Sequence, residues 1–264
     1  MLTQFQKFKT LHEGPELFLL PNVWNPRSAI IFQENGFSAI GTSSAAVAES
    51  LGYDDGQQMP FQEYLLIVRR ILASVQIPLT VDIEMGYGNT KEEIFSNLLQ
   101  LIEAGVVGIN IEDSIINNKD RSLDDAGRFA KKIEFIKSEL ERKRLELFIN
   151  VRCDTYILNI PNKVRETRSR LKVYESAGAD GIFLPTIKNE GDIIDAIENT
   201  ALPLNVMCVP GLPGFGVLNR RGVKRVSMGP VLFRKVYERV GELSAAIINN
   251  QDFSILFSPE LVTE

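Results

Sequence analysis

Short apolar runs alternate with amphipathic segments along the whole chain. Eight of these runs are rich in β-branched residues and end in polar positions; they lie at 17–24, 37–44, 77–84, 106–113, 146–154, 180–186, 202–209 and 223–229. Runs that are apolar on both faces are typical of strands in a parallel sheet that is covered on both sides. We therefore expect eight parallel strands.

The segments between these runs have helical periodicity. Residues 60–75 place apolar side chains at i, i+3 and i+4 after a proline, and Thr90 with Glu93 forms a capping box. The segment 210–222 is rich in glycine and proline and predicts only a short helix. Eight strand–helix units without a linker predict a single (β/α)8 TIM barrel over residues 1–264. The alternative, a doubly wound open sheet, leaves two strands to place.

Composition narrows the function classes. The 264 residues are 44% hydrophobic and 24% charged, with a formal charge of -5 that gives no basic surface for nucleic acid. No apolar run reaches the roughly 18 residues of a membrane span, and no signal peptide is expected. Cys153 and Cys208 fit no metal-ligand spacing and predict free thiols in a cytoplasmic protein. The only histidine, His12, precedes the first strand, which argues against a Ser-His-Asp triad.

Polar residues gather where the predicted strands end, which is where TIM barrels place their active sites. They include an aromatic residue, hydroxyls, acids and one arginine: Trp24, Thr42, Ser43, Ser44, Asp82, Glu84, Glu112 and Arg152. This combination predicts an anion bound beside a cation.

The acids are the strongest signal in this set. Asp82 and Glu84 are two residues apart, so on a strand they would face the same side, and Glu112 lies at the same level of the next strand. Converging carboxylates repel one another unless a cation lies between them. Oxygen ligands without histidine or cysteine favour Mg2+ or Mn2+. The other interpretation is a set of helix caps or surface charges, which suits Asp113 and Asp154.

Substrate-binding groups can be predicted from the same strand ends. The planar fork of Arg152 matches a carboxylate or a phosphonate, although a salt bridge with Glu112 or Asp154 is the alternative. The turn at 43–45 offers hydroxyls and backbone N–H groups to a carboxylate. Trp24 is either part of the core or a flat wall against a planar substrate.

Five motifs in this order resemble the isocitrate lyase/phosphoenolpyruvate mutase superfamily. They are NVWNPRSA (22–29), TSSAAVAESLGYDDG (42–56), VDIEMGYGN (81–89), GINIEDS (108–114) and INVRCD (149–154). The likeness spans roughly 17–230 and is nearest to the phosphoenolpyruvate mutase-like and 2-methylisocitrate lyase-like branch. It implies a Mg2+-dependent enzyme and a barrel whose C-terminal helix is swapped between subunits of a homotetramer or dimer.

The resemblance also implies residue roles. It makes Asp82 the principal metal-binding aspartate, places Glu84 where the family has a second aspartate, and has Glu112 hold a metal-bound water. Asp55 would act near the metal and the substrate as a catalytic residue. The substrate would contact an aromatic side chain, the turn and the arginine: Trp24, Ser43, Ser44, Ala45 and Arg152.

The segment 114–123 departs from the lyase pattern. Isocitrate and methylisocitrate lyases carry a catalytic cysteine there, whereas this chain has SIINNKDRSL. The mutase pattern uses lysine, asparagine and serine, and here Asn117, Asn118, Lys119 and Ser122 supply similar groups in another order. Asn118 and Lys119 are therefore the catalytic candidates of this segment, which we expect to be a loop that closes over the substrate.

These observations predict a Mg2+-dependent lyase that cleaves or forms a C–C or P–C bond in a small 2-oxo or 2-hydroxy acid. The reaction would pass through an enolate-like intermediate. Two alternatives stay open, namely a phosphoenolpyruvate or phosphonopyruvate mutase or hydrolase, and a barrel that binds a 2-oxo acid without catalysis. The expected partner is a small 2-oxo or dicarboxylic acid, without nucleic acid or membrane.

Overall fold

The computed structural model describes residues 2–117 and 120–257. Its strands follow the predicted runs, except that the first run contains two strands and two further strands lie between the fourth and fifth runs. They are β1 Phe18–Leu20, β2 Asn22–Val23, β3 Ile40–Thr42, β4 Leu79–Asp82, β5 Gly108–Glu112, β6 Ser114–Asn117, β7 Asp120–Leu123, β8 Phe148–Arg152, β9 Gly181–Leu184, β10 Leu204–Met207 and β11 Arg225–Ser227.

Nine of these strands form one parallel sheet in the order β1-β11-β10-β9-β8-β5-β4-β3-β2. β1 and β2 are two halves of the first predicted strand, interrupted at Pro21, which has no N–H to donate. The carbonyl of Pro21 still accepts from the Gly41 amide at 3.0 Å. Because β1 pairs with β11 while β2 pairs with β3, the sheet is a nearly closed barrel. The predicted TIM barrel is confirmed.

Ten α-helices surround or precede the sheet in the described residues. They are α1 Gln4–Glu13, α2 Pro26–Glu34, α3 Ser44–Ser50, α4 Phe61–Leu72, α5 Lys91–Ala104, α6 Ala126–Lys143, α7 Lys163–Ser176, α8 Glu190–Glu198, α9 Phe215–Arg221 and α10 Val231–Asn250. The short helix expected after the seventh strand is α9, and α1 and α3 were not predicted. No helix in the described ranges is long and apolar enough to cross a membrane.

The segment expected to be a loop over 114–123 instead contains an antiparallel hairpin. In it β6 pairs with β7, with Ile115 opposite Ser122 and Ile116 opposite Arg121. The prediction missed the strands because the only two β-branched residues of the segment, Ile115 and Ile116, are adjacent and nearly all its other residues are polar, so no alternation marks a strand. Asn118 and Lys119 lie outside the described residues.

A polar layer lies inside the otherwise apolar barrel. The Arg225 side chain is completely buried and its Nη2 donates to Asn110 Oδ1 at 2.7 Å. Asn150 Nδ2 donates to the same oxygen at 2.8 Å. These bonds cross between strands and fix the floor beneath the carboxyl ends of β5 and β8.

His12 closes the opposite end of the barrel. Its ring stacks on Phe148 with 4.1 Å between centroids, and its Nδ1 lies 2.9 Å from the Phe8 carbonyl oxygen. Burial, together with the positive charge of Arg225, lowers the pKa of His12 to about 3. His12 is therefore a neutral structural residue and does not act as a catalytic base at the carboxyl ends of the strands.

Replacing His12 should change how stability depends on pH. The unfolded pKa near 6.5 exceeds the folded value, so the unfolded state binds the extra proton and wild-type stability falls as pH drops from about 6.5 towards 3. His12→Phe should lower this slope by about 1.4 kcal/mol per pH unit, measured by urea unfolding at pH 4.5, 5.5 and 6.5. Equal slopes for the two proteins would contradict the assignment.

Candidate active site

The carboxyl ends of the strands open into a cavity of about 230 Å³. Six residues predicted for the site line it: Ser43, Ser44, Ala45, Asp55, Asp82 and Arg152. The other lining residues are Asn22, Asn110, Ile157, Phe183, Pro185, Met207, Ser227, Gly229, Pro230 and Arg234. Eight of the barrel strands, or the segments that follow them, thus bring acids, hydroxyls and arginines to one small space.

Asp82 ends β4 and is held by its neighbours in β3 and α4. Its amide donates to Thr42 Oγ1 at 3.0 Å, and its carbonyl accepts from the Tyr64 hydroxyl at 2.8 Å. Its carboxylate Oδ2 accepts from Ser44 Oγ at 3.0 Å, whereas Oδ1 is buried and has no hydrogen-bond partner. Burial raises the pKa of Asp82 above its ordinary value.

Glu84 follows in a turn and not on the strand. β4 ends at Asp82, and Glu84 has a φ of 51° in the left-handed region. The expectation that both acids face one side of a strand was therefore wrong, because the two-residue period stops where the strand stops. Glu84 Oε1 accepts from the Tyr87 hydroxyl at 3.1 Å, and its buried Oε2 has no partner. Burial, with the charges of Asp55 and Asp82, raises the pKa of Glu84 to about 7.

Glu112, at the end of β5, forms ion pairs with two arginines, although its buried Oε2 accepts no hydrogen bond. Its Oε1 contacts Arg121 Nη1 from β7, and its Oε2 lies 2.8 Å from Arg152 Nη1. The side chain is only 1% exposed, and burial raises its pKa although both arginines act in the opposite direction. Glu112 is thus the most heavily paired of the three predicted metal-binding acids.

Arg152 ends β8 beside this carboxylate. Its Nε donates to Asp154 Oδ1 at 2.6 Å and its Nη2 to Asp154 Oδ2 at 3.2 Å, so that the guanidinium fork is aligned by Asp154. The flanking acids Glu112 and Asp154 raise its pKa and offset the effect of burial. Both salt bridges that were alternatives in the sequence interpretation are present, and Arg152 also lines the cavity.

A second buried network supports this strand end from behind. Asp113 Oδ1 accepts from the Asp154 amide at 2.8 Å, and Asp113 Oδ2 accepts from Arg170 Nη1 at 2.9 Å and from the Tyr174 hydroxyl at 2.6 Å. These contacts bind α7 to the ends of β5 and β8. Asp113 is therefore a structural residue that positions Asp154 and, through it, Arg152.

The remaining predicted residues differ in their placement. The Asp55 side chain is half exposed, with Oδ2 at 3.7 Å from Arg121 Nη2. Trp24 is 8% exposed and packs edge-to-face on Phe233 at 5.4 Å, within the hydrophobic core. Its role as a wall of the substrate site stays a prediction, as do those of Asn118 and Lys119 outside the described residues.

Two residues near the cavity, Arg121 and Ser114, were missed by the sequence interpretation. Arg121 contacts Glu112, and Ser114 Oγ donates to Asp154 Oδ2. Asp154 itself was considered as a cap or surface charge and as a salt-bridge partner of Arg152; it is buried and lies between Arg152 and Arg121. The only sequence signal for Arg121 was a basic residue in a polar segment, because its contact with Glu112 arises from the pairing of β6 with β7.

The acids fit a hard divalent cation in part. Within residues 2–117 and 120–257, no three side chains of Asp, Glu, His or Cys converge closely enough to enclose a metal. Asp82 Oδ1 and Glu84 Oε2 are nevertheless buried carboxylate oxygens without partners, which cost free energy unless a cation or donor satisfies them. Mg2+ suits this donor set, because it commonly uses one or two carboxylates together with water and substrate oxygens.

Comparison with known sequences decides the family. The family model described as phosphoenolpyruvate phosphomutase matches residues 8–248, nearly the whole chain. This chain belongs to the phosphoenolpyruvate phosphomutase family. The match, with relatives that include decarboxylases and 2-methylisocitrate lyase, also confirms the predicted isocitrate lyase/phosphoenolpyruvate mutase superfamily.

Three proteins illustrate what this chain is similar to in sequence or in fold. An uncharacterized protein of Mycobacterium tuberculosis is 37% identical over 224 residues, covering 85% of this chain and 82% of that protein. Oxaloacetate decarboxylase 1 of Pseudomonas fluorescens is 30% identical over 202 residues, covering 75% and 68%. Phosphonopyruvate hydrolase in complex with oxalate and Mg2+ is 23% identical, with a TM-score of 0.85 over 98% of this chain and 93% of that chain; it shares the fold.

Proposed function

We propose that this family member is a Mg2+-dependent lyase of the decarboxylase type that acts on a small 2-oxo dicarboxylic acid. The observation that carries the proposal is the buried, unpartnered Asp82 Oδ1 in a small cavity that also contains Arg152. The pair offers a cation-binding oxygen and an anion-binding fork on adjoining sides of one space. An anionic substrate that also holds a metal needs both.

The chain's own groups would bind and orient the substrate. Arg152 has its fork aligned by Asp154, so it would bind a substrate carboxylate with little loss of side-chain entropy. Ser43 to Ala45 border the same cavity and supply polar contacts, while Ser44 also fixes Asp82. Bound at Asp82, Mg2+ would supply Lewis-acid stabilisation of the negative charge that develops on the 2-oxo oxygen.

The size of the cavity and the chemistry of the hairpin segment support a decarboxylase-type substrate. About 230 Å³ is below the usual range for drug-sized ligands and suits a compact acid. The segment 114–123 has no cysteine or histidine to protonate a departing product, which argues against isocitrate-type cleavage. Loss of CO2 from a 2-oxo dicarboxylic acid leaves a smaller anion whose charge the same site can stabilise. The oxaloacetate decarboxylase relative agrees with this choice.

Phosphonopyruvate chemistry is the second candidate. Two arginines, Arg152 and Arg234, border the cavity, and guanidinium groups bind phosphonates as readily as carboxylates. The family model named for the phosphomutase favours this candidate as well. A non-catalytic binder of 2-oxo acids would use the same contacts without consuming its ligand.

Proton and phosphorus NMR time courses would separate these functions. The panel is oxaloacetate, phosphonopyruvate, 2-methylisocitrate, dimethylmalate and pyruvate with Mg2+, and each rate is corrected for the rate without protein. We expect accelerated consumption of oxaloacetate or a close 2-oxo dicarboxylate, with pyruvate or its homologue as product. Consumption of phosphonopyruvate alone would favour the second candidate, and consumption of none of them would contradict enzymatic function on this class of acid.

We also propose that α10 packs against a second copy of the chain, as the family resemblance implies. Phe233 is its only buried residue, whereas Val236, Tyr237, Val240 and Ile248 are 43–70% exposed. Such a helix would bury its apolar side on association. Light scattering should therefore give a dimer or tetramer mass, and Val240→Glu should shift the population towards monomer. A monomeric wild-type protein at micromolar concentration would refute this assembly.

A further inference from the structure

Arg121 extends from the hairpin into the acidic side of the site. It lies on β7 opposite Ile116, and its side chain is 19% exposed. Its Nη1 contacts Glu112 Oε1 and lies 3.5 Å from Asp154 Oδ2, while its Nη2 lies 3.7 Å from Asp55 Oδ2. One guanidinium therefore faces three carboxylates, two of which were predicted to act near the metal.

Glu112 cannot keep all these contacts and also bind a divalent cation directly. Oε1 accepts a hydrogen bond from Arg121, and Oε2 lies 2.8 Å from Arg152 Nη1 without accepting a hydrogen bond, so each carboxylate oxygen already has a cation beside it. A divalent ion at this carboxylate would also meet a guanidinium charge a few ångströms away, and like charges at that distance repel strongly in a partly buried site. One of the two arginines has to move away.

The contacts indicate which arginine moves. Arg152 is held by the two-bond fork on Asp154 and lies on a central barrel strand. Arg121 makes its closest contact to a single oxygen, is more exposed, and lies on a two-stranded hairpin outside the barrel sheet. Two-stranded ribbons without a larger sheet are only marginally stable, so displacement of β7 costs less than displacement of β8.

We infer that Arg121 is a built-in competitor for the metal-binding acids, so that a divalent cation and the Arg121 guanidinium exclude each other at Glu112. The inference rests on the proposed metal site. It makes Arg121 a residue that sets metal affinity, and it links cation binding to the position of the β6–β7 hairpin. Ser114, which donates to Asp154 at the start of β6, anchors the base of the hairpin while its second strand is released.

Isothermal titration of the full-length protein with Mn2+ tests the competition. Arg121→Gln should bind Mn2+ about 5- to 150-fold more tightly than wild type, the usual range for coupled sites. Arg121→Lys keeps a charge but not the fork and should fall between them. Arg128→Gln is the matched control, because Arg128, on α6, pairs with Asp124 and is 66% exposed. The Mn2+ affinity of this variant should equal that of wild type.

If wild type binds Mn2+ and Arg121→Gln binds it equally or more weakly, the inference is overturned and the proposed function still stands. Absence of Mn2+ binding in both proteins would overturn the proposed metal site and this inference with it.

Hydrogen exchange supplies a readout independent of affinity. Saturating Mg2+ should speed amide exchange in β7 of wild type and leave the exchange of Arg121→Gln unchanged. Identical exchange with and without Mg2+ in wild type would contradict release of the strand.

Discussion

Asp82→Asn is expected to reduce Mg2+-dependent turnover of the 2-oxo acid by about 1,000-fold or more, because it removes the unpartnered carboxylate oxygen that would bind the cation. The amide is the same shape and can still accept from Ser44, so the local fold should persist. Burial raises the pKa of Asp82, which means that its charge destabilises the folded state at neutral pH. In EDTA the variant should therefore be at least as stable as wild type.

This combination of lost activity and preserved stability separates a metal-binding role from a structural one. Asp195→Asn serves as the matched control, because Asp195 pairs with Arg168 on the surface and should tolerate the change with activity retained. Initial rates and thermal unfolding in EDTA provide the two measurements. An Asp82→Asn variant with more than a tenth of wild-type activity would show that Asp82 is not the principal metal-binding acid.

Arg152→Lys is expected to lower kcat/KM by about 100- to 1,000-fold, the range found when one donor to a developing negative charge is removed. Lysine keeps the positive charge near Glu112 and Asp154 but cannot reproduce the planar fork that Asp154 aligns. Arg152→Ala would be less informative, because it removes the two-bond partner of Asp154 and leaves two buried acids with Arg121 as their remaining cation.

The control for this variant is Arg168→Lys, which makes the same chemical change at an arginine that forks onto Asp195 and is half exposed. Steady-state kinetics over a range of substrate concentrations gives kcat and KM separately. We expect the loss to be greater for Arg152→Lys than for the control by at least tenfold. Equal effects would mean that Arg152 only neutralises Glu112 and does not bind substrate.

The barrel was predictable because each strand is encoded locally by an apolar run that is covered on both faces. Even the broken first strand falls within one predicted run, 17–24, with Pro21 marking the interruption. The β6–β7 hairpin was not predictable, because each of its strands has only four residues, too few to show an alternation of apolar and polar positions. α3 was missed for a similar reason, since Ser43 and Ser44 resemble a turn until the helix they begin is seen.

The site shows the same division between local and tertiary information. Asp82 and Arg152 were found because each ends a predicted strand, and strand ends of a barrel meet at one mouth. Glu84 was placed on the wrong element because nothing in the sequence marks the strand end at Asp82. Arg121 was missed altogether, since its contact with Glu112 depends on hairpin register and side-chain reach.

Oxalate binding tests the central claim, a cation and a 2-oxo acid held together at Asp82 and Arg152, most directly. Oxalate has the planar pair of oxygens expected of the enolate-like form of the substrate, and the enzyme is not expected to consume it. Titration calorimetry would compare oxalate binding to wild type with Mg2+, to wild type with EDTA, and to Asp82→Asn with Mg2+. We predict binding in the first case and at least 100-fold weaker binding in the other two. Equal affinity with and without Mg2+, or no binding at all, would contradict the account.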